Sequence, residues 1–453
     1  MKKFLLVLVL LAGLVAAALG AFRAGPAPEI RIESAAKAIG RKAAVTVMAS
    51  EPSRGLSALK VELVQGDKVF PLAEKSYVAR PSWAFWGPKT DAESLTLEIG
   101  KDAVKDLRQG EAIVRATATR ASAWLRSPDP VVVETKLPVR LTPPTLGVVS
   151  SFHYVNQGGC EAVVYRVGES AVRDGVRAGR WFFRGWPLPG GGPQDRFALF
   201  AVPYDLDDVS GVKVVAEDDA GNEASVGFID EFFPKPLRRD TIRLNDAFMQ
   251  KVVAEILPST PELQDKGDLL ENYLQINRDL RKANRALQAE LAAASKPTFL
   301  WREPFLPMRN TAIMASFADR RTYDYNGKGV DTQDHLGLDM ASTRADAVPS
   351  ANDGVVVLAR YFGIYGNAVV VDHGYGLQSL YGHLSSIEVK EGQTVRRGDS
   401  VGRSGATGLA GGDHLHFEIA LQGLAVSPIE WWDTKWLTDR LKRKLGPALP
   451  YGG

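Results

Sequence analysis

At 453 residues the chain is too long for a single compact core, and ordinary domain sizes suggest about three domains. Its 45% hydrophobic and 24% charged residues are those of an ordinary globular protein. With 55 basic and 53 acidic side chains there is no basic surplus to recruit nucleic acid, and a single cysteine, Cys160, excludes an intramolecular disulfide and a cysteine-built metal cluster.

The chain opens on Lys2 and Lys3, followed by an uncharged apolar stretch over residues 4–22. That stretch is longer than the usual core of a signal peptide and just long enough to span a bilayer as a helix, while Ala16, Ala17, Ala18 and Gly20 offer small residues for cleavage. Residues 1–23 therefore read as a signal peptide or a membrane anchor. In either case the positive end stays inside and the remainder is exported.

Short runs of strand character follow at 30–32, 44–49, 59–64, 95–99, 113–119 and 131–141, several alternating apolar with polar side chains as half-buried antiparallel strands do. Pro143 and Pro144 punctuate them, and residues 29–143 read as an immunoglobulin-like β-sandwich. A second β-rich domain spans 145–235, with strands expected at 162–167, 197–202, 211–217 and 224–229. Its stretch 214–222 resembles the strand-and-turn ending of bacterial immunoglobulin-like domains.

Residues 240–295 form a helical linker. Thr260, Pro261 and Glu262 make a good helix start, with a capping hydroxyl, Pro at the first position and an early acid. Leu269, Tyr273, Ile276, Leu280, Ala283 and Leu287 then recur at alternating spacings of four and three, a heptad seam. Either this helix packs on its own protein or it forms a short coiled coil, making a homodimer through residues 262–294.

The chemistry concentrates near the C-terminus. Of six histidines, five (His335, His373, His383, His414 and His416) lie between residues 335 and 416. Imidazole and carboxylate are the natural zinc ligands where thiolates are absent. His414 and His416, two apart on an expected strand, point to one face. His335 and Asp339 sit four apart around Gly337, which favours a loop running into a strand over a helix. Two histidines and an aspartate would give three protein ligands and leave a fourth position for water, the open coordination of a catalytic site.

In combination the motifs resemble the catalytic domain of lysostaphin-type, LytM-like zinc metalloendopeptidases, which cut peptidoglycan. The resemblance covers residues 310–428. It rests on Ser316-Phe317 with Arg320-Arg321, His335-x-Gly337-x-Asp339-Met340-Ala341, Gly366-Asn367, Tyr381-Gly382-His383-Leu384, Gly405-x-Thr407-Gly408 and His414-Leu415-His416-Phe417-Glu418. One departure is Ala318, where the family commonly has Gly in a Phe-Gly-x-Arg turn. The resemblance implies an antiparallel β metallopeptidase domain at 300–430, one zinc ion held by His335, Asp339 and His416, and a catalytic pair, His383 and His414. His373 reads as structural, and Glu418 as a brace for a ligand or a sheet residue. Residues 431–453 are left as a C-terminal tail.

The whole then reads as a mainly β, multidomain protein: two sandwich modules, a helical segment and the peptidase. The expected activity is zinc-dependent hydrolysis of the peptide cross-links of bacterial peptidoglycan in wall remodelling, outside the cytoplasm in the periplasm or cell envelope. A membrane contact through 4–22 applies if the leader is not cleaved. The competing reading is a catalytically inactive wall-binding scaffold or amidase activator of the same fold. All five motif positions are filled, which favours the enzyme. Residues 29–294 hold one histidine, His153, and no paired motif, so they are expected to position or restrain the peptidase without doing chemistry.

Overall fold

The computed structural model of the chain describes residues 2–22, 26–84, 86–123 and 126–452. Lys2–Phe22 is helical. Among the described residues no helix is long and apolar enough to cross a membrane, so the structure lends the expected anchor over 4–22 no support. The remainder is mainly β and divides into two compact units. One holds residues 1–144 with 170–172 and 216–224; the other holds the rest of the chain from 145 onwards.

The first unit carries two antiparallel sheets. Glu29–Ser34, Ala44–Ser50 and Ala92–Glu98 lie side by side in one; Lys68–Ser76, Leu56–Gln65, Gly110–Arg120 and Val131–Val139 form the other in that order. Alternation drives the packing: Val45, Val47 and Ala49 from one sheet and Leu59, Val61, Leu63, Val114 and Ala116 from the other are buried in one shared core. Each of these valines and leucines contributes roughly 1.5–3 kcal/mol when removed from water. The strand Lys68–Ser76 had no counterpart in the sequence reading, because its Pro71, Glu74 and Lys75 break the apolar alternation.

In the second unit, Leu146–Val148, Cys160–Val167, Asp195–Ala201 and Trp186–Pro187 share a sheet. Helices follow at Asp246–Ile256, Leu269–Gln275 and Arg281–Ala293, the last two joined through a wide turn, Ile276–Leu280. The helix expected to start at Thr260 starts instead at Leu269. Asp268 caps it by accepting from the Glu271 N–H at 2.9 Å, and Asp265 holds a turn at Gly267 (φ +72°) that interrupts any earlier start. The heptad seam has its partner within the chain. Tyr273, Ile276 and Leu280 are buried against Tyr323, Leu358, Phe362 and Ile364, so the expected coiled-coil dimer has no support.

The C-terminal residues are folded. Leu437, Leu441 and Leu445 are buried on short helical turns, and Lys444 meets Glu161 of the strand Cys160–Val167 at 2.8 Å with both side chains almost wholly buried. Burial lifts the Glu161 carboxyl to about 7 against the pull of Lys444. A carboxyl raised in the folded state costs stability as pH climbs through its unfolded value towards the folded one. Lys444→Met should therefore destabilise by about 3–5 kcal/mol at pH 8, where Glu161 would be left as an unpaired buried anion, and by clearly less at pH 5, where it takes a proton. Equal losses in thermal melts at the two pH values would refute this.

The largest sheet positions the site. In order it runs Ala312–Ala315, Leu338–Ala341, Leu415–Leu421, Leu377–Leu384, Asn367–Asp372, Gly354–Tyr361 and Thr394–Val395, all antiparallel, with Leu424–Val426 also paired to Leu415–Leu421. Its central strands are buried on both faces, which explains the near-continuous apolar runs Val369-Val370-Val371 and Ile419-Ala420-Leu421. Beside it, the hairpin Asp319–Tyr325 and Lys328–His335 takes a third, parallel strand from Arg239–Leu244, so the segment upstream of the peptidase region adds an edge to it.

Candidate active site

Register brings the motif residues together. Asp339 pairs directly with His416, and His416 in turn with Gly382, the residue before His383. Residues directly opposite on antiparallel strands share a face, so Asp339 and His416 meet. His335 ends its hairpin strand four residues before Asp339. Asp339 Oδ1 lies 2.9 Å from His335 Nε2 and 2.8 Å from His416 Nδ1, and those two nitrogens are 3.1 Å apart. His383 and His414 flank this cluster, with ring centroids 4.9 Å from each other and His383 5.7 Å from His416.

Each of the four rings has one nitrogen committed outwards. A carbonyl or carboxylate can only accept, so the facing ring nitrogen must donate. His335 Nδ1–H donates to Ser316 O at 2.9 Å, His383 Nδ1–H to Thr407 O at 2.8 Å, His414 Nδ1–H to Gly412 O at 2.8 Å and His416 Nε2–H to Glu418 Oε1 at 2.8 Å. The opposite nitrogen of each neutral ring is left as a lone pair. His373 differs: both its nitrogens are used, on Asp353 O and Ser379 Oγ, and the ring is fully buried in the sheet.

This donor set fits a metal ion. Two imidazole lone pairs and a carboxylate oxygen converge with no donor hydrogen of their own among them, and their 2.8–3.1 Å separations approach the edge of about 3.4 Å expected of a tetrahedral zinc site. Burial favours un-ionised Asp339, but the surrounding His335, His414 and His416 rings outweigh it and hold the carboxyl well below its usual range. Burial, with the neighbouring His414 and His416 rings, holds His383 well below the ordinary imidazole value, so at neutral pH it is a proton acceptor.

Several residues to which the sequence assigned no role brace the cluster. Arg321 reaches Asp339 Oδ2 at 3.1 Å. Arg285, on the helix Arg281–Ala293, grips both oxygens of Glu418 at 2.7 Å, and Tyr365 donates to the same carboxylate at 2.8 Å. Burial pushes the Glu418 carboxyl up, but Arg285 and His416 hold it at about 2. Lys251, on Asp246–Ile256, donates to Ala406 O at 2.9 Å and Ala410 O at 2.8 Å, spanning the loop whose Thr407 O anchors His383. Tyr204 packs edge-on against Phe317, next to Ser316.

Backbone strain sits here too. His383 has φ +63° and Ala318 φ +66°, a left-handed conformation that costs a non-glycine residue about 1 kcal/mol. Ala318 thus keeps the backbone conformation that glycine adopts freely, and its N–H reaches His335 O at 2.7 Å.

The sequence profile of peptidase family M23 matches residues 333–428, a span that contains all five of these histidine and aspartate positions. The C-terminal region is an M23 domain. Similar proteins include the DD-carboxypeptidase/endopeptidase Mpg of Neisseria meningitidis, 40% identical over 95 residues that make up 21% of this chain and 22% of Mpg. The peptidoglycan DD-endopeptidase ShyA of Vibrio cholerae is 38% identical over 118 residues, 26% of this chain and 27% of ShyA. The murein hydrolase activator EnvC of Escherichia coli is 40% identical over 95 residues, 21% of this chain and 23% of EnvC. The chain therefore spans about a quarter of the length of these relatives, essentially the M23 domain alone. Among solved structures, a putative M23 peptidase from Pseudomonas aeruginosa aligns with 62% of this chain and 94% of its own, at 21% identity and a TM-score of 0.36.

Proposed function

We propose that the protein is a zinc-dependent endopeptidase that hydrolyses peptide cross-links of bacterial peptidoglycan outside the cytoplasm. The observation that carries this is the three converging donors of His335, Asp339 and His416 with two further imidazoles, His383 and His414, at their side. Peptidases of family M23 are zinc metallopeptidases, and of the relatives ShyA is named a peptidoglycan DD-endopeptidase and Mpg a DD-carboxypeptidase/endopeptidase.

His335 Nε2, Asp339 Oδ1 and His416 Nδ1 would hold the ion. The chemistry zinc supplies at such a site is Lewis acidity towards the scissile carbonyl and a lowered pKa for attacking water. The chain's own part is proton handling and charge stabilisation. His383 Nε2, kept basic-competent and neutral by burial, takes a proton; a protonated His414 or His383 donates to the tetrahedral oxygen or to the leaving amine. The carbonyls of Thr407 and Gly412 fix both tautomers so that Nε2 faces inward.

The test is digestion of purified peptidoglycan by the zinc-loaded protein with mass analysis of the products. New free ends at peptide cross-links are expected. The match to EnvC favours one second reading, an activator of a separate wall hydrolase. A protein that yields no fragments alone but stimulates a wall amidase would decide for that reading.

A further inference from the structure

The helix Arg281–Ala293 lies outside the matched M23 span, yet one of its side chains reaches to within one residue of the metal cluster. Arg285 approaches Glu418 in a two-pronged geometry, Nη1 to Oε2 and Nη2 to Oε1, both at 2.7 Å. Glu418 has no exposed surface. Its Oε1 accepts from Tyr365 at 2.8 Å and from His416 Nε2–H at 2.8 Å, and the other nitrogen of that same ring, Nδ1, points at Asp339.

We propose that Arg285 is a positioning residue for the metal centre, acting through Glu418 to lock the His416 ring with Nδ1 turned to the shared metal position. This rests on the reading of His335, Asp339 and His416 as metal ligands. The physical case is geometric. Glu418 lies two residues after His416 on the same strand face, so its carboxylate can rotate about the side-chain torsions unless something outside the strand fixes it. The planar guanidinium fork fixes both oxygens at once, which an ammonium on a flexible stem does not. With the carboxylate plane set, His416 can hydrogen-bond only as the Nε2–H tautomer in one ring orientation. Carboxylate partners of metal-bound imidazoles typically govern metal affinity by 10–100-fold.

The helix is itself held to the peptidase fold around this point. Asn284 accepts from the Ile364 N–H at 3.0 Å, and Gln288 accepts from Arg285 Nη1 at 2.9 Å. The preceding seam residues Tyr273, Ile276 and Leu280 are buried in the core that includes Ile364 and Tyr365. The segment that looked like a linker thus supplies a fixed strut to the site.

The experiment is zinc affinity of the full chain by chelator competition, with the visible spectrum of the cobalt-substituted protein as a reporter of ligand geometry. Arg285→Ala should weaken zinc binding by roughly 10–100-fold and shift the cobalt bands. Arg285→Lys should fall between Ala and wild type. Arg278→Ala, which removes the ion pair to Asp331 on the same helical stretch (2.9 Å) without touching Glu418, should leave both readouts at wild type. Should Arg285→Ala fail to fold, Arg285→Lys and Tyr365→Phe, which removes one donor to Glu418, carry the test; each should weaken zinc several-fold while still melting cooperatively. Wild-type affinity and spectrum in folded Arg285→Lys and Tyr365→Phe would overturn the proposal. A wild-type protein that takes up no zinc would instead overturn the metal reading on which it rests.

Discussion

His335→Ala, Asp339→Ala and His416→Ala should each abolish zinc retention and hydrolysis together. Three protein donors are a minimum for a catalytic zinc ion, and removing one leaves two, too few to compete with solvent and chelators. Asp339 should be the most severe, because it supplies the only formal charge among the three and its Oδ1 lies within 2.9 Å of both imidazole nitrogens. Asp339→Asn is the sharper version. It keeps the shape and one carbonyl oxygen but removes the anion, so zinc should still be lost, and the zinc-free protein should melt somewhat lower because Arg321 loses its anionic partner. Metal analysis after dialysis and a peptidoglycan digest are sufficient checks. Any of the three alanine variants that retained a full equivalent of zinc and wild-type activity would have to be struck from the site.

What the sequence could and could not convey about this site has a physical pattern. The five motif residues were legible because ligand chemistry restricts them to a few residue types, and because strand periodicity places His414 and His416 on one side of the chain. Their convergence required register, the pairing of Asp339 with His416 and of His416 with Gly382, which no local spacing encodes. The outer braces were illegible for a further reason. Ser316, Thr407 and Gly412 act through backbone carbonyls, which every residue possesses, so even where Ser316 and Thr407 stand in a motif their side chains do not announce this role. Arg285 looked like one more charge on an amphipathic helix. Only its depth, against a glutamate 133 positions away, distinguishes it from a solvated arginine. The heptad seam left two alternatives open for a similar reason: apolar spacing reveals that a helix has a buried face and is silent on whether another chain or its own domain covers it. Ala318 was legible as a departure from a family pattern, but its meaning came from φ +66°, a conformation glycine adopts at no cost.

The remaining large effect concerns the two histidines that the geometry leaves beside the three donors. His383→Ala and His414→Ala should keep a full equivalent of zinc and yet lose roughly 100-fold or more in kcat/KM, about 2.7 kcal/mol of transition-state stabilisation. Neither ring is expected to hold the ion, because the donors of His335, Asp339 and His416 converge without them and His383 meets the cluster through ring packing. The pH profile adds a sign. Burial and the neighbouring rings depress the His383 proton affinity, so the acid limb belonging to it should lie below the ordinary imidazole value of about 6.5, and should vanish in His383→Ala. Because the two rings sit 4.9 Å apart and serve one proton itinerary, the double variant should lose little more than the worse single one. Loss of zinc in either single variant would show that a ligand had been mistaken for a proton carrier. Fully additive losses in the double variant would show that the two imidazoles act in separate steps.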